Sequence, residues 1–345
     1  MTSLPPKVPA RVQNLAQFVS AYNVCLRQEK LLQLGLDNGG VGGTMPLIYI
    51  RVLGYLVHHA PTNEGLNNVV REISACETQI QTERELLEVG KYFDHYIRAC
   101  LGSISNDDDV SPPSFDTITD MIKDTELEKA PRSRYTAKKH ALIRDECRCV
   151  VTGRYDRRSV KQIQELKDIV NSDLSLRVES TNGVHIFAEF ASASVELDST
   201  GRECATTMWG VMARFGYPEL ADELSGSQVH RLENVFTAVG RFQTLFDEWG
   251  VWFVPTSEED RYKFEAAEVM DLRDYPEYVT FRTHDAVNFP VPSPAYLPIH
   301  AACAKVARFS GAAACIDRLY QAMEDATTLD LDGGSAEMLE HASTF

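Results

Sequence analysis

Apolar residues recur at helical spacing through the first hundred positions. The run AQFVSAYNVCLRQEKLLQLGL predicts an amphipathic helix that stops at the glycine-rich stretch DNGGVGGT, Asp37 to Thr44. That stretch lacks a Gly-Lys-Ser/Thr ending, so it predicts a flexible connector and not a phosphate-binding loop. A second helix is expected over Leu47 to His59, ending before Pro61, and a third over Asn63 to Cys76. A fourth, ERELLEVGKYFDHYIRAC, carries Leu86, Val89, Phe93, Ile97 and Cys100 on one face. Periodicity then fails in SNDDDVSPPS, Ser105 to Ser114, which reads as a linker, followed by a short helix in FDTITDMIKDTELE.

The pattern changes near Ala141. RCVVTG, Arg148 to Gly153, predicts a short strand closed by glycine, and residues 154 to 180 read as polar helix. GVHIFAEF is a further strand candidate. ATTMWGVMARFG predicts a helix with Met208, Trp209, Met212 and Phe215 inward. GVWFVPT and EYVTFRT predict strands, and the proline-rich NFPVPSPAYLP introduces the helix AYLPIHAACAKVARFSG. One more helix is expected near Ile316 to Asp325, and no internal repeat is visible. The expected class is α+β. Its divisions are an N-terminal helical region (1–104), a linker with a short helix (105–136), a mixed segment (137–260), and C-terminal strands and helices packed upon it (261–345).

Composition bounds this picture. The chain has 345 residues, 44% hydrophobic and 24% charged, which is ordinary for a water-soluble protein. PLIYIRVLGYLV is interrupted by Arg51 and is too short to span a bilayer. The first residues have no apolar signal core, so an intracellular protein, cytoplasmic or nuclear, is expected. Eight cysteines occur without a CxxC pair, which indicates neither a zinc ribbon nor a disulfide framework.

The formal charge is −16, unevenly spread. From Arg132 to Lys161 ten Lys or Arg face three acids, a local charge of +7 that leaves −23 for the rest. This island has two readings. It is either a solvated helix and loop or a phosphate-contacting surface in which Arg144, Arg148, Arg154, Arg157, Arg158 and Lys161 grip nucleic acid.

Three residues then form an ordered set. His185 ends a short apolar run, Asn234 follows about fifty residues later, and Gln243 lies on the amphipathic stretch RFQTLFD. Singly each has a plain reading: a hydrogen-bonded structural histidine, a turn or cap asparagine, a helix-surface glutamine. His230 reads as a supporting or surface residue, and Asp247 as a helix-end partner. Together, and with the phrases AKKHALIRDECRCVVTGRYD, VHIFAEF, WGVMARFGYPELADELSGSQVHRLENVFT, LFDEWGVWF and VPSPAYLPIHAACAKVARFSGAA, they make the chain resemble the HNH-endonuclease-like proteins of mushroom-forming fungi.

The resemblance implies a ββα finger around one divalent metal, Mg²⁺ or another, and metal-dependent hydrolysis of DNA phosphodiesters. It implies His185 as general base and Asn234 as organiser of the loop that aims it. The family's helix histidine falls on Gln243, and Val184 stands where many HNH enzymes carry a metal ligand. Glutamine suits hard cations and is a poor partner for zinc. The alternative implied by these departures is a catalytically inactive pseudonuclease that binds nucleic acid or protein.

Overall fold

The computed structural model describes residues 2–39, 43–77, 82–99, 117, 119–120, 131–187 and 212–314. The expected linker over 105–114, most of the helix FDTITDMIKDTELE, the helix expected near Ile316 and the residues Met208 and Trp209 lie outside them. The described chain mixes helices with small sheets and is α+β in class. It divides into two compact units.

The first unit comprises residues 1–59, 69–98 and the chain from 306 onward. It holds α1 (Ala16–Asp37), α2 (Met45–His59), most of α3 (Asn63–Glu77), α4 (Thr82–Ala99) and the end of α10 (Tyr296–Ser310). α2 is apolar nearly all round and buries Leu47, Ile48, Ile50, Val52, Leu53, Leu56 and Val57. Such a helix belongs inside a bundle. α4 meets it closely because residue 90 is glycine: a Cβ there would lie 2.5 Å from the Tyr49 carbonyl oxygen. Buried Arg51 donates to Glu29 at 2.6 Å, and Glu29 also accepts from the Leu4 backbone at 3.0 Å, which ties the first residues to the bundle.

The second unit comprises residues 60–68 and 99–305. Its described elements begin with α5 (Arg134–Arg144), β1 (Tyr155–Asp156), α6 (Arg157–Gln162), α7 (Gln164–Ser172), β2 (Val178–Glu179) and β3 (Thr181–His185). After these come α8 (Leu220–Glu223), β4 (Val235–Val239), α9 (Gly240–Asp247), β5 (Val251–Pro255), β6 (Arg261–Ala266) and β7 (Tyr278–Thr280), with the start of α10 last. β1 and β2 pair in parallel, β3 and β4 antiparallel, and β5-β6-β7 form an antiparallel meander. Phe236, Phe242, Phe246, Phe253 and Phe281 pack ring to ring between the hairpin, α9 and the meander, with centroid separations of 5.3 to 5.8 Å for Phe236 with Phe246, Phe253 and Phe281. Edge-on aromatic packing of this kind adds to simple area burial.

Two expectations change. RCVVTG is not a strand. It is a tight turn in which Cys149 N donates to Arg154 O and Gly153 N to Cys149 O, each at 2.8 Å. Gly153 at φ +68° supplies the left-handed step that closes it. The polar helix expected over 154 to 180 is two short helices broken at Ile163, whose extended backbone buries its side chain in the core.

One cation organises this unit. Arg144, expected on a phosphate-gripping surface, has a wholly buried side chain. It donates to both Asp145 carboxylate oxygens (2.8 and 3.0 Å) and to the carbonyls of Leu232 (3.0 Å), Val235 (2.8 Å) and Pro290 (3.0 Å). Asp145 in turn accepts from Thr237 N at 2.8 Å. Arg144 is therefore structural. Arg144→Met is expected to destabilise the fold by about 3–5 kcal/mol, because it leaves the buried Asp145 carboxylate without its cation and takes a donor from three carbonyls. A urea midpoint unchanged from the wild type would reject that role.

Candidate functional site: a hairpin and helix around His185

β3 is held at its start by Asp156, whose buried carboxylate accepts from Thr181 N (3.1 Å) and Thr181 Oγ1 (2.8 Å) while capping α6 through Ser159 N at 2.7 Å. The strand then runs antiparallel to β4 with Thr181 opposite Val239 and His185 opposite Val235. β4 passes directly into α9, so two paired strands and a helix follow one another. His185 lies at the end of the first strand, Asn234 immediately before the second, and Gln243 one turn into the helix. The structure thus brings the sequence-predicted residues onto one supersecondary unit.

Asn234 is fully buried and uses its whole amide. Oδ1 accepts from Phe187 N at 2.9 Å, while Nδ2 donates to Phe187 O at 3.0 Å and Val229 O at 2.8 Å. One side chain therefore fixes the turn after His185 and the turn before His230. The two histidines meet as a result: His185 Nε2 lies 3.1 Å from His230 Nδ1, and their rings are edge to face.

His185 is 8% exposed. Burial first, then the positive charge of Arg134 and the neighbouring His230, lower its pKa to about 3, so it is neutral at physiological pH. Its Nδ1 is buried without a regular hydrogen-bond partner, and its compensating neighbour is the Gly183 backbone. Both ring nitrogens thus face the interior.

Gln243 is engaged as well. Its Oε1 accepts from Asn182 Nδ2 at 2.6 Å, and its side chain hydrogen-bonds to the Asp247 carboxyl one turn on. Burial raises the Asp247 pKa to about 7, against the opposing pull of Gln243 and Arg134. Asn182, Gln243 and Asp247 thus form a ladder across the face where the helix meets β3.

A divalent metal here would need several anionic or imidazole donors aimed at one point. Among the described residues no three His, Cys, Asp or Glu side chains converge in that way. The Gln243 oxygen is already bound to an amide, and the Arg134 cation acts on both His185 and Asp247. These residues do not fit a resident divalent metal.

The basic residues divide. Besides buried Arg144, Arg148 lies 4.2 Å over the Tyr155 ring and donates to its hydroxyl, and Arg154 pairs with Glu179. Arg157 and Lys161 are exposed on α6, and Arg158 is half-buried. Sequence reasoning missed His230 as the histidine's partner, Asn182 as the glutamine's, and Arg134 as the cation beside both. The four-residue spacing of Gln243 and Asp247 on a helix was the one readable signal.

No protein-family model, curated protein or solved structure matches this chain.

The ionisations predict a pH profile. The Asp247 pKa is raised from an ordinary 3.8 to about 7, so its contribution to stability is full below about 3.8 and is lost as pH rises towards 7. The His185 pKa is lowered from 6.5 to about 3, so its contribution is full above 6.5 and is lost as pH falls towards 3. The two contributions oppose each other over much of that range, and His58 and His300, also lowered, add to the histidine side. Asp247→Asn removes only the carboxyl contribution, so its stability relative to the wild type should rise between about pH 3.8 and 7 in urea melts; a difference that stays constant with pH would show that Asp247 does not bind the proton.

Proposed function

We propose that the chain is an HNH-type finger protein of the kind found in fungi, retained as a non-cleaving module that binds nucleic acid, DNA foremost. One observation carries the reading. The paired strands and helix keep His185, the Asn234 brace and the helix in order, while the position of the helix histidine is filled by Gln243, tied to Asn182. A brace that holds a loop has a reason to persist in a binding module. A glutamine hydrogen-bonded to an amide does not serve as the main ligand of a catalytic metal.

The setting of His185 supports the same reading. A general base must reach the proton it removes. This imidazole is buried, has both nitrogens turned inward and resists protonation. A nucleic-acid role goes with an intracellular setting, cytoplasmic or nuclear. Among the described residues no helix is long and apolar enough to cross a membrane.

A metal-dependent HNH endonuclease is the second reading, and Asp247 favours it. Its carboxyl lies one turn from Gln243, and with a pKa of about 7 it is partly ionised at neutrality and could serve as an oxygen ligand. Plasmid incubation with Mg²⁺, Mn²⁺, Ni²⁺ or Zn²⁺ separates the two. We expect folded wild-type protein to leave the plasmid intact with every metal. Nicking that disappears both in EDTA and in His185→Ala would establish the endonuclease and remove the non-cleaving reading. Gln243→His is expected to add no calorimetric metal binding, since one new imidazole leaves the donor set incomplete. Strong binding by that variant would show that the remaining ligands are in place.

A further inference from the structure

The β5-β6-β7 meander ends on an open edge. β7 lies along β6 with Arg261 opposite Thr280, Tyr262 opposite Val279 and Lys263 opposite Tyr278. Pairing runs one residue further at each end, where Phe264 N donates to Glu277 O at 2.8 Å and Phe281 N donates to Asp260 O at 3.0 Å. Those two bonds fix the alternation of an antiparallel ladder. Glu277, Val279 and Phe281 turn their main-chain groups towards β6, so Tyr278 and Thr280 turn theirs away from it. Among the described residues no main-chain partner meets them on that outer side. The side chains alternate as well: Val279 and Phe281 are buried, while Tyr278, Thr280 and Arg282 are exposed. Tyr278, Val279, Thr280 and Phe281 are all aromatic or β-branched, which suits a strand. Residues 277–283 hold no lysine or proline, and the pairing with β6 has no bulge, so the usual devices that blunt a sheet edge are missing. An edge of this kind is a template for another strand.

We propose that β7 pairs antiparallel with β7 of a second copy of this chain, about a two-fold axis at Thr280, so that two meanders join into one sheet. The pairing is independent of any nucleic-acid role. The residues of the edge select both this occupant and this register. Across a two-fold axis a strand meets itself in reverse order. Centred on Thr280, the threonine faces its own counterpart, Tyr278 faces Arg282 of the second copy, and Val279 faces Phe281 of the second copy. A threonine pair, a cation beside an aromatic ring and a β-branched residue against an aromatic one are favourable cross-strand neighbours. Tyr278 already takes a guanidinium in this way: Arg261 lies 4.6 Å from its ring centroid, with its charge balanced by Glu258 at 2.5 Å. A step of one residue in either direction is worse. Centred on Val279, Pro276, which has no N–H, would face Arg282, and the Glu277 carboxylate would face Phe281. Centred on Phe281, Glu277 would face Asp285, like charge against like. The edge is therefore self-complementary in one register. Charge points to the same occupant. The chain carries −16 overall, but residues 277–282 hold one acid and one base, so two copies meet there without the repulsion that acts elsewhere on the surface.

The test is sedimentation velocity of the full-length protein from about 1 to about 500 µM. Wild type is expected to pass from monomer to dimer as its concentration rises. Thr280→Pro removes only an outward N–H and leaves the ladder with β6 intact, so it should weaken dimerisation about tenfold or more with little change in the urea midpoint. Thr280→Lys and Thr280→Glu form a second arm that holds if proline disturbs the strand. Each sets like charges against one another across the axis and should weaken self-association about tenfold or more. An equimolar mixture of the two should recover dimers, because lysine then faces glutamate. That recovery belongs only to a residue that faces itself. A wild type that stays monomeric throughout overturns the proposal and leaves the edge to a different strand. A dimer that survives all three substitutions overturns it as well, by placing the interface elsewhere. Lysine and glutamate variants that both lose dimers and fail to recover them on mixing reject the two-fold axis at Thr280.

Discussion

The second unit depends on one buried guanidinium. Arg144 spans the end of α5, the turn before β4 and the loop at Pro290, and its five hydrogen bonds include three to backbone carbonyls. Removing a cation from water is expensive, and the cost is met only when every donor finds an acceptor. That condition makes the arrangement selective, because no small shift of β4 keeps Leu232 and Val235 on the same guanidinium. Asp145 extends the constraint by accepting from Thr237, in the middle of β4. The position of β4 against α5 is therefore set by charge and hydrogen bonding as much as by the apolar contacts of Ala137, Ala141, Leu142 and Val235.

The candidate site inherits this position. With β4 fixed, Asn234 stands at a set place, and its amide carries the constraint to the turns that hold His185 and His230. β3 is fixed from its other end by Asp156 through Thr181. The site is thus suspended between two buried polar braces, with the phenylalanine cluster packed beneath the hairpin and α9. Rigidity of this kind suits a surface that must present fixed groups to a ligand. It suits a proton-transferring imidazole only if that ring faces outward, and His185 does not.

Much of the helical architecture was legible, since α1 to α4 announce themselves by spacing. The strands were less so. β4, VFTAV, is buried at every position and has no alternation to read, so its apolar run could not be told from a helix turn. β6 did carry a signal, with Tyr262 and Phe264 inward and Lys263 outward, yet it lay between clearer runs. RCVVTG looked like a strand because β-branched residues dominate it, whereas the left-handed Glu146, Cys147 and Gly153 bend the chain there. His185, Asn234 and Gln243 were legible as an order along the chain. Their partners were not: His230 is forty-five residues from His185 and Asn182 sixty-one from Gln243, and only folding brings them together. Arg144 was misread for a plain reason. An arginine within a basic run reads as surface, and nothing local reveals the carbonyls awaiting it.

The balance of charge is what distinguishes this site. An array of anionic ligands would draw in a metal, and such a metal would hold a neighbouring carboxyl ionised. Here the Asp247 pKa lies near neutrality and the adjacent positive charge is covalent, on Arg134. A guanidinium can neutralise a phosphate as a metal does, but it has no open coordination position and cannot lower the pKa of a bound water. Exchanging one for the other conserves attraction for a phosphodiester and gives up the means of activating a nucleophile. The amides of Asn182 and Gln243 satisfy each other and need no cation between them. Binding and cleavage make separable electrostatic demands: the first needs a cation near the phosphate, the second a means of activating the nucleophile.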